Sequence, residues 1–274
     1  MAHAIVILAH HLPAQLARLI DRVTGPEDHV WLHIDARSDL ADVDRPDVTM
    51  LPRLSCTWGS LGLVQAALSG LEAAVADPRP FTHVSLLSGQ DYPIKPHTEL
   101  AAHLDAYPDT GWLEWMPLPG PGPGDQLARV DRWYWRVSGT RKISFPNRFT
   151  PFLPRRPPPL GMTVYKGSAL FTITRAQAAH VVEFARANPR FIRFFEHAYI
   201  ADEYVFQTIL VNSPHRDDLV AENLHAIAWG SEHHPATLTT ADLPWLQRSG
   251  RFFARKFDNS DVLDWIDAEL LTRA

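Results

Sequence analysis

Short apolar runs alternate with helix-spaced segments through the first third of the sequence, and this alternation restricts the fold more than any other feature. Ala4 to Ala9 is a continuous apolar run, as in a strand covered on both faces. Pro13 opens a segment with Leu16, Leu19, Ile20 and Val23 on one side, and Gly25-Pro26 closes it. His29 to Ile34 reads as a second strand, with Asp35 at its end. Leu61, Val64, Leu68, Leu71 and Val75 keep helical spacing until Asp77-Pro78. Phe81 to Leu87 reads as a third strand and runs into Ser88-Gly89-Gln90-Asp91. Strands alternating with helices predict an α/β class with a largely parallel sheet. Such sheets bind ligands beyond the carboxyl ends of their strands, where His10, Asp35 and Asp91 all fall.

The last third resumes this order. Ala169 to Ile173 reads as a strand, and Thr174 as the cap of a helix from Arg175 to about Ala187. A further helix is expected near Asp202-Glu203, carrying Val205, Phe206, Ile209 and Leu210; two acids suit the positive end of a helix dipole. A last helix starts at about Ser260, with Val262, Leu263, Trp265 and Ile266. Between the ordered parts, Pro117-Leu118-Pro119-Gly120-Pro121-Gly122-Pro123-Gly124 excludes regular helix or sheet. Asp131-Arg132-Trp133-Tyr134-Trp135-Arg136 and further basic residues follow it. Neither flank is a complete α/β unit. The expected organisation is therefore one domain over 1–274 with a proline-rich loop insertion at about 117–159. Such an insertion is a candidate binding surface or lid, or else a surface loop with chance aromatics.

Composition removes several classes of function. With 46% hydrophobic residues in 274, the chain can bury a sizeable core and is not globally disordered. Cys56 is the only cysteine, which excludes a disulfide framework and a cysteine-built zinc site. A net charge of −5 predicts no general attraction to nucleic acid, so an anionic ligand needs a local cluster of cations. No run approaches the roughly 20 apolar residues of a membrane span. The apolar start, Met1 to Ala9, lacks the basic leader of a signal peptide. A cytoplasmic location is expected, with peripheral membrane contact left open.

Several residues can carry chemistry. Arg255-Lys256, set among Phe252, Phe253 and Phe257, can offset the charge of a departing nucleoside diphosphate, or can be a surface pair packed by aromatics. Asp202-Glu203 can supply a general base or a helix-capping acid. Asp35 and Asp91 each read as a ligand-facing acid or as a turn residue. His10-His11 and His233-His234 are adjacent pairs, not the i, i+4 pairs that place two metal ligands on one helix face. Asp42-Val43-Asp44 matches the acid-x-acid pattern that holds a metal-diphosphate, but it lies in the polar stretch Ser38 to Asp47 and reads as a solvated loop. No Gly-x-x-x-x-Gly-Lys loop and no Gly-x-Ser-x-Gly elbow is present.

Five segments, in order, carry a resemblance. They are Thr57-Trp58-Gly59-Ser60, Leu86 to Lys95 (Leu-Leu-Ser-Gly-Gln-Asp-Tyr-Pro-Ile-Lys), Lys166-Gly167-Ser168-Ala169, Asp202 to Ile209, and Phe253-Ala254-Arg255-Lys256-Phe257-Asp258. Together they resemble the core-2/I-branching glycosyltransferase family, which includes β-1,6-N-acetylglucosaminyltransferases and peptide O-xylosyltransferases. The resemblance implies a GT-A fold, a Rossmann-like nucleotide-binding half merged with an acceptor-binding half. It implies inverting transfer of a sugar, GlcNAc or xylose in the family, from a UDP-sugar to a glycan, glycolipid or other hydroxyl acceptor. It implies no metal and no cofactor beyond the donor. Glu203 then matches the catalytic base, with Asp202 orienting the helix start. Lys256 and Arg255 match the cations on the UDP phosphates. Asp35 matches the acid on the nucleoside, His10 lies near the uracil site and Asp91 near the donor sugar. Glu114, with Trp115 beside it, matches a segment that touches the acceptor. With one cysteine and no apolar run of spanning length in this sequence, a compact, bacterial-type member is expected, unlike the anchored, disulfide-bearing animal secretory members. A second diphosphate arginine of some relatives has no clear counterpart; His225, His233 and Arg251 are the nearest candidates. Two alternatives stand beside this reading: a nucleotide-sugar-binding protein of a polysaccharide assembly system without turnover, and a metal-dependent GT-A transferase.

Overall fold

The computed structural model describes residues 2–120, 126–135, 153–230 and 235–272. Its central sheet begins with β1 (His3–Ala9), β2 (His29–Ile34), β3 (Val48–Met50) and β4 (His83–Ser88). After β5 (Asp91–Pro93) come β6 (Gly111–Trp112), β7 (Met116–Pro117), β8 (Tyr165–Lys166) and β9 (Phe171–Thr174). The chain closes with β10 (Leu219–Val220), β11 (His225–Ile227) and β12 (Phe253–Arg255). The main sheet has seven strands in the order β10-β6-β9-β4-β1-β2-β3. β1 pairs parallel with β2 and with β4, and β2 pairs parallel with β3. β9 runs antiparallel to β4 and β6. The other two sheets are β11-β12-β5 and β7-β8. This is the mixed α/β architecture with a parallel central sheet that the alternation predicts.

The helices are α1 (Pro13–Val23), α2 (Leu61–Ala76), α3 (His97–Ala106), α4 (Ala128–Asp131), α5 (Arg175–Ala187), α6 (Pro189–Phe194), α7 (Val205–Val211), α8 (Leu243–Arg248) and α9 (Ser260–Glu269). They cover both faces of the sheet. Ala4 and Val6 of β1 join the apolar layer under α2, α5 and α7. Ile5, Ile7 and Ala9 join the layer under α1, α3 and α9. A strand buried on both sides needs no polar alternation, which is why Ala4 to Ala9 of β1 is a continuous apolar run. From β1 the chain passes through α1 to β2 on one side and later through α2 to β4 on the other. The strand order reverses at β1, and the carboxyl ends of β1, β2 and β4 meet at that switch point, where sheets of this kind bind ligands.

Local signals hold where they are strong. Thr174 and Gln177 form a capping box at α5: Gln177 N–H donates to Thr174 Oγ1 at 3.2 Å, and Thr174 N–H donates to Gln177 Oε1 at 2.9 Å. Three expectations change. Asp91-Tyr92-Pro93 is not a turn but the edge strand β5, where proline costs no ladder hydrogen bond. Asp202 and Glu203 do not lie in an α-helical first turn. They end a separate 3-10 turn, Ala201–Glu203; Tyr204 breaks the geometry at φ −129°, and α7 begins at Val205 with no side-chain cap. The insertion is also not structureless throughout. Pro117 pairs in β7, and Ala128–Asp131 forms α4. The buried Arg156 donates to the carbonyls of Val130, Arg132 and Phe194, and Arg155 pairs with Asp131 at 2.8 Å. Residues 121–125 and 136–152 of the insertion lie outside the described residues. No helix among the described residues is long and apolar enough to cross a membrane.

Candidate active site

One end of the site is built on the strand ends of the switch point. His10 follows β1 and is exposed, its ring 4.0 Å from that of His11. Desolvation lowers its basicity, Asp35 opposes that, and Lys256 and Arg37 reinforce it, so these four groups share one electrostatic neighbourhood. Asp35 ends β2 and is buried. Burial alone would raise its carboxyl. Arg37 Nε and Nη2, at 3.2 and 2.9 Å, and the N–H groups of Arg37 and Cys56, at 2.9 and 3.3 Å, hold it below the usual range instead. Direct contact between Asp35 and a nucleoside, as expected from the sequence, therefore competes with Arg37. Arg37 is the exposed member of the pair, at 52% against 8%.

Asp91 is also differently employed. Its carboxylate is fully enclosed, so it offers no surface to a donor sugar. The Ser88 N–H and Oγ–H donate to it at 2.7 and 2.8 Å, Arg255 Nε lies at 3.4 Å and His225 Nε2 at 3.7 Å. Burial pushes its pKa up, but Arg255, His225 and Ser88 together bring it below the usual value. The cause is the register: Arg255 of β12 stands opposite Asp91 of β5. Arg255 thus spends its inner nitrogen on Asp91 and keeps 21% exposure for anything else. Lys256 follows the strand. Its backbone N–H donates to Ala236 O and its carbonyl accepts from Leu238 N–H. Its ammonium makes no hydrogen bond or ion pair among the described residues. Two further diphosphate candidates have partners of their own. His225 is buried and stacked on Phe253 at 5.1 Å, and Arg251 pairs with Glu222 at 2.8 Å. His233 and His234 lie outside the described residues.

The other end is organised around Glu203. Gly59, at φ +61°, carries the loop before α2 against the Tyr199-Ile200 backbone, where a Cβ would meet Ile200 Cα and Tyr199 O at 3.3 Å. Its carbonyl accepts from Ala201 N–H at 3.1 Å and fixes the 3-10 turn. Glu203 is half-buried, and its Oε2 is enclosed without a hydrogen-bond partner. Desolvation raises its pKa from 4.5 to about 7, against the pull of Lys166; Asp202 adds to the rise and Arg129 opposes it. Lys166 Nζ lies 3.6 Å from Oε2. Glu114 is exposed, but its carboxyl is likewise raised by desolvation, with Lys166 and Arg251 lowering it. Trp115 beside it meets Tyr165 edge-on at 5.5 Å, under the Arg216 guanidinium. Cys56 joins the two ends. Burial pushes its thiol up to about 12, with both Asp35 and Asp202 contributing.

Lys166, Arg37 and Gly59 are site residues that the sequence did not assign. The Lys-Gly-Ser-Ala and Thr-Trp-Gly-Ser segments were signals for two of them, but nothing local gives the partner of Lys166. Asp42 bonds to Arg53 at 2.7 Å on the exposed edge of its loop. Among the described residues no three His, Cys, Asp or Glu side chains converge as a metal site requires.

Lys256 at the strand ends, with no hydrogen bond or ion pair among the described residues, and Glu203, its pKa pushed up to about 7, are carried by one α/β scaffold. The chain belongs to the Core-2/I-Branching enzyme family, whose model matches residues 2–247. It is 25% identical over 302 residues to xylosyltransferase 1 of Homo sapiens, covering 96% of this chain and 30% of that protein. It is 24% identical over 279 residues to xylosyltransferase oxt of Drosophila melanogaster, covering 89% and 30%. It is 24% identical over 218 residues to β-1,3-galactosyl-O-glycosyl-glycoprotein β-1,6-N-acetylglucosaminyltransferase 3 of Ovis aries, covering 76% and 46%. The chain thus spans less than half the length of each of these relatives. Among solved structures, 4-diphosphocytidyl-2C-methyl-D-erythritol synthase from Anaerococcus prevotii aligns over 90% of this chain and 95% of that one, at 12% identity and a TM-score of 0.37, too remote a likeness to bear on the site.

Proposed function

We propose that this chain is a glycosyltransferase that moves a sugar from a UDP-sugar to a hydroxyl group by a single displacement without a metal ion. The observation that carries the reading is Glu203, whose enclosed Oε2 accepts no hydrogen bond and whose pKa burial pushes up to about 7. A base poised near the working pH removes a proton most effectively. In the proposed step the acceptor oxygen bonds to the anomeric carbon as the bond from that carbon to the UDP oxygen breaks. The hydroxyl proton passes to Glu203, and UDP leaves with the bonding electron pair. Attack from the face opposite UDP inverts the anomeric carbon. Lys256 and the outer end of Arg255 offset the charge on the diphosphate, the role a metal would otherwise fill. His10, Asp35 with Arg37, and Asp91 through Arg255 shape the donor side. Asp202, Glu114 and Trp115 shape the acceptor side.

The family and the relatives' names support xylose or GlcNAc as the transferred sugar and a glycan or other hydroxyl compound as acceptor. Glu203→Gln should keep UDP affinity, read by calorimetry, and lose about 10²–10⁴ in transfer rate. Full transfer by that variant would refute the assignment. Transfer should also persist in excess EDTA, and a strict requirement for manganese would sink the metal-free reading. A thermal-shift screen of UDP-, GDP- and dTDP-sugars identifies the donor, because a ligand at 100 times its Kd adds about 2.7 kcal/mol of stability.

A further inference from the structure

We propose that Lys166 is the positioning residue of Glu203, an ammonium set against the enclosed Oε2 that holds this carboxylate ionised and in place. The proposal rests on Glu203 being the base and concerns what keeps that base in its working state.

The pair is preorganised by the backbone on both sides. Lys166 ends β8, opposite Met116 of β7. The next residue, Gly167, donates its N–H to the carbonyl of Glu203 itself at 2.9 Å. Gly167 has no room for a side chain, since a Cβ there would lie 1.6 Å from Glu114 O. Ser168 O accepts from Gln207 Nε2 at 2.5 Å, which ties the same loop to α7. Lys166 is therefore delivered to Glu203 by a segment fixed at several points. Its Nζ stops 3.6 Å from Oε2, within ion-pair range but beyond hydrogen-bond length. Charge, not donor geometry, is what it supplies.

Among the described residues the other charged groups acting on Glu203 are Asp202 and Arg129, and Glu114 faces the same Lys166. Asp202 on the same turn pushes towards the protonated form, and Arg129 of α4 opposes it. Tyr204 follows in sequence, its own hydroxyl raised by burial and by Glu203. The guanidinium of Arg129 lies over the Tyr199 ring at 5.8 Å. Lys166 is the strongest opponent of desolvation at this carboxylate. With Lys166 neutral, burial and Asp202 act on Glu203 against Arg129 among the described residues, and the carboxyl holds its proton more tightly. A protonated carboxyl cannot accept the proton of an acceptor hydroxyl.

The test is a titration of the free protein labelled with [δ-13C]glutamate, with the Glu203 resonance assigned by its loss in Glu203→Gln. In Lys166→Met the midpoint should rise by about 1–3 pH units, the effect of losing an opposite charge at this range. Lys166→Arg should keep the parent midpoint. Lys166→Gln carries the same test should the methionine variant not fold. A Glu203 midpoint unchanged in the neutral variant overturns the proposal. Once a donor is in hand, the acid limb of kcat should move upward with the NMR midpoint, whereas a purely structural role would lower kcat at every pH without moving the limb. The titration needs neither donor nor acceptor. Failure of the transferase reading, seen as absent UDP binding or as transfer retained by Glu203→Gln, is thereby told apart from failure of the Lys166 assignment.

Discussion

Replacing Glu203 by glutamine should make the protein more stable while it stops transfer. Burial raises this carboxyl from 4.5 to about 7, so the folded state holds a proton that the unfolded state releases. Below about pH 4.5 both states are protonated and the group costs folding nothing. As pH rises through the interval the unfolded chain ionises first, and stability falls. Above pH 7 both states are ionised and the whole penalty is present. At about 1.4 kcal/mol per pH unit between the two pKa values, the penalty reaches about 3 kcal/mol. The side chain is 24% exposed, which leaves this figure an upper bound. Glutamine has the same shape and no charge to desolvate. Urea unfolding of parent and variant at pH 5 and pH 8 should show the variant's advantage growing by up to about 2.5 kcal/mol between them, since part of the penalty is already present at pH 5. An advantage independent of pH, or one that shrinks at pH 8, would refute the desolvation argument. The activity of the parent should follow the opposite course and rise as pH passes through about 7, where the base becomes ionised.

Other outcomes follow from the same geometry. Lys256→Ala should weaken UDP binding by calorimetry, because this ammonium is not committed to any described partner; unchanged affinity would move the phosphate site elsewhere. Asp91→Ala should cost about 3–5 kcal/mol in urea unfolding, since it strands Arg255 beside a buried site without its counter-ion. Gly167→Ala should destabilise by about 3 kcal/mol or more, because the added methyl meets backbone at Glu114 and not a yielding side chain. A melting temperature equal to that of the parent would contradict the close approach drawn at this position.

The long elements were legible because their signals are local. The four helical spans at α1, α2, α5 and α9, and the strands β1, β2 and β4, follow from periodicity and capping residues that lie within a few positions of one another. The two- and three-residue strands β3, β6, β10 and β11 were not legible, since so few residues carry no period. Asp202 and Glu203 were placed in an α-helix because acids favour helix starts; packing against Gly59 set a 3-10 turn there instead.

The sequence by itself determined the α/β class, the both-face burial of the central strands and the residues from which a site could be drawn. Only the tertiary structure decided how those residues are employed. Arg255 is partly spent on Asp91, and the Lys256 ammonium makes no hydrogen bond or ion pair among the described residues. Arg37 covers Asp35, and Lys166 meets Glu203 across 37 positions of chain. The physical reason is that propensity and periodicity are properties of neighbours along the chain. Desolvation and ion pairing are properties of neighbours in space, and these are set by strand register and by the few glycines that let backbones touch.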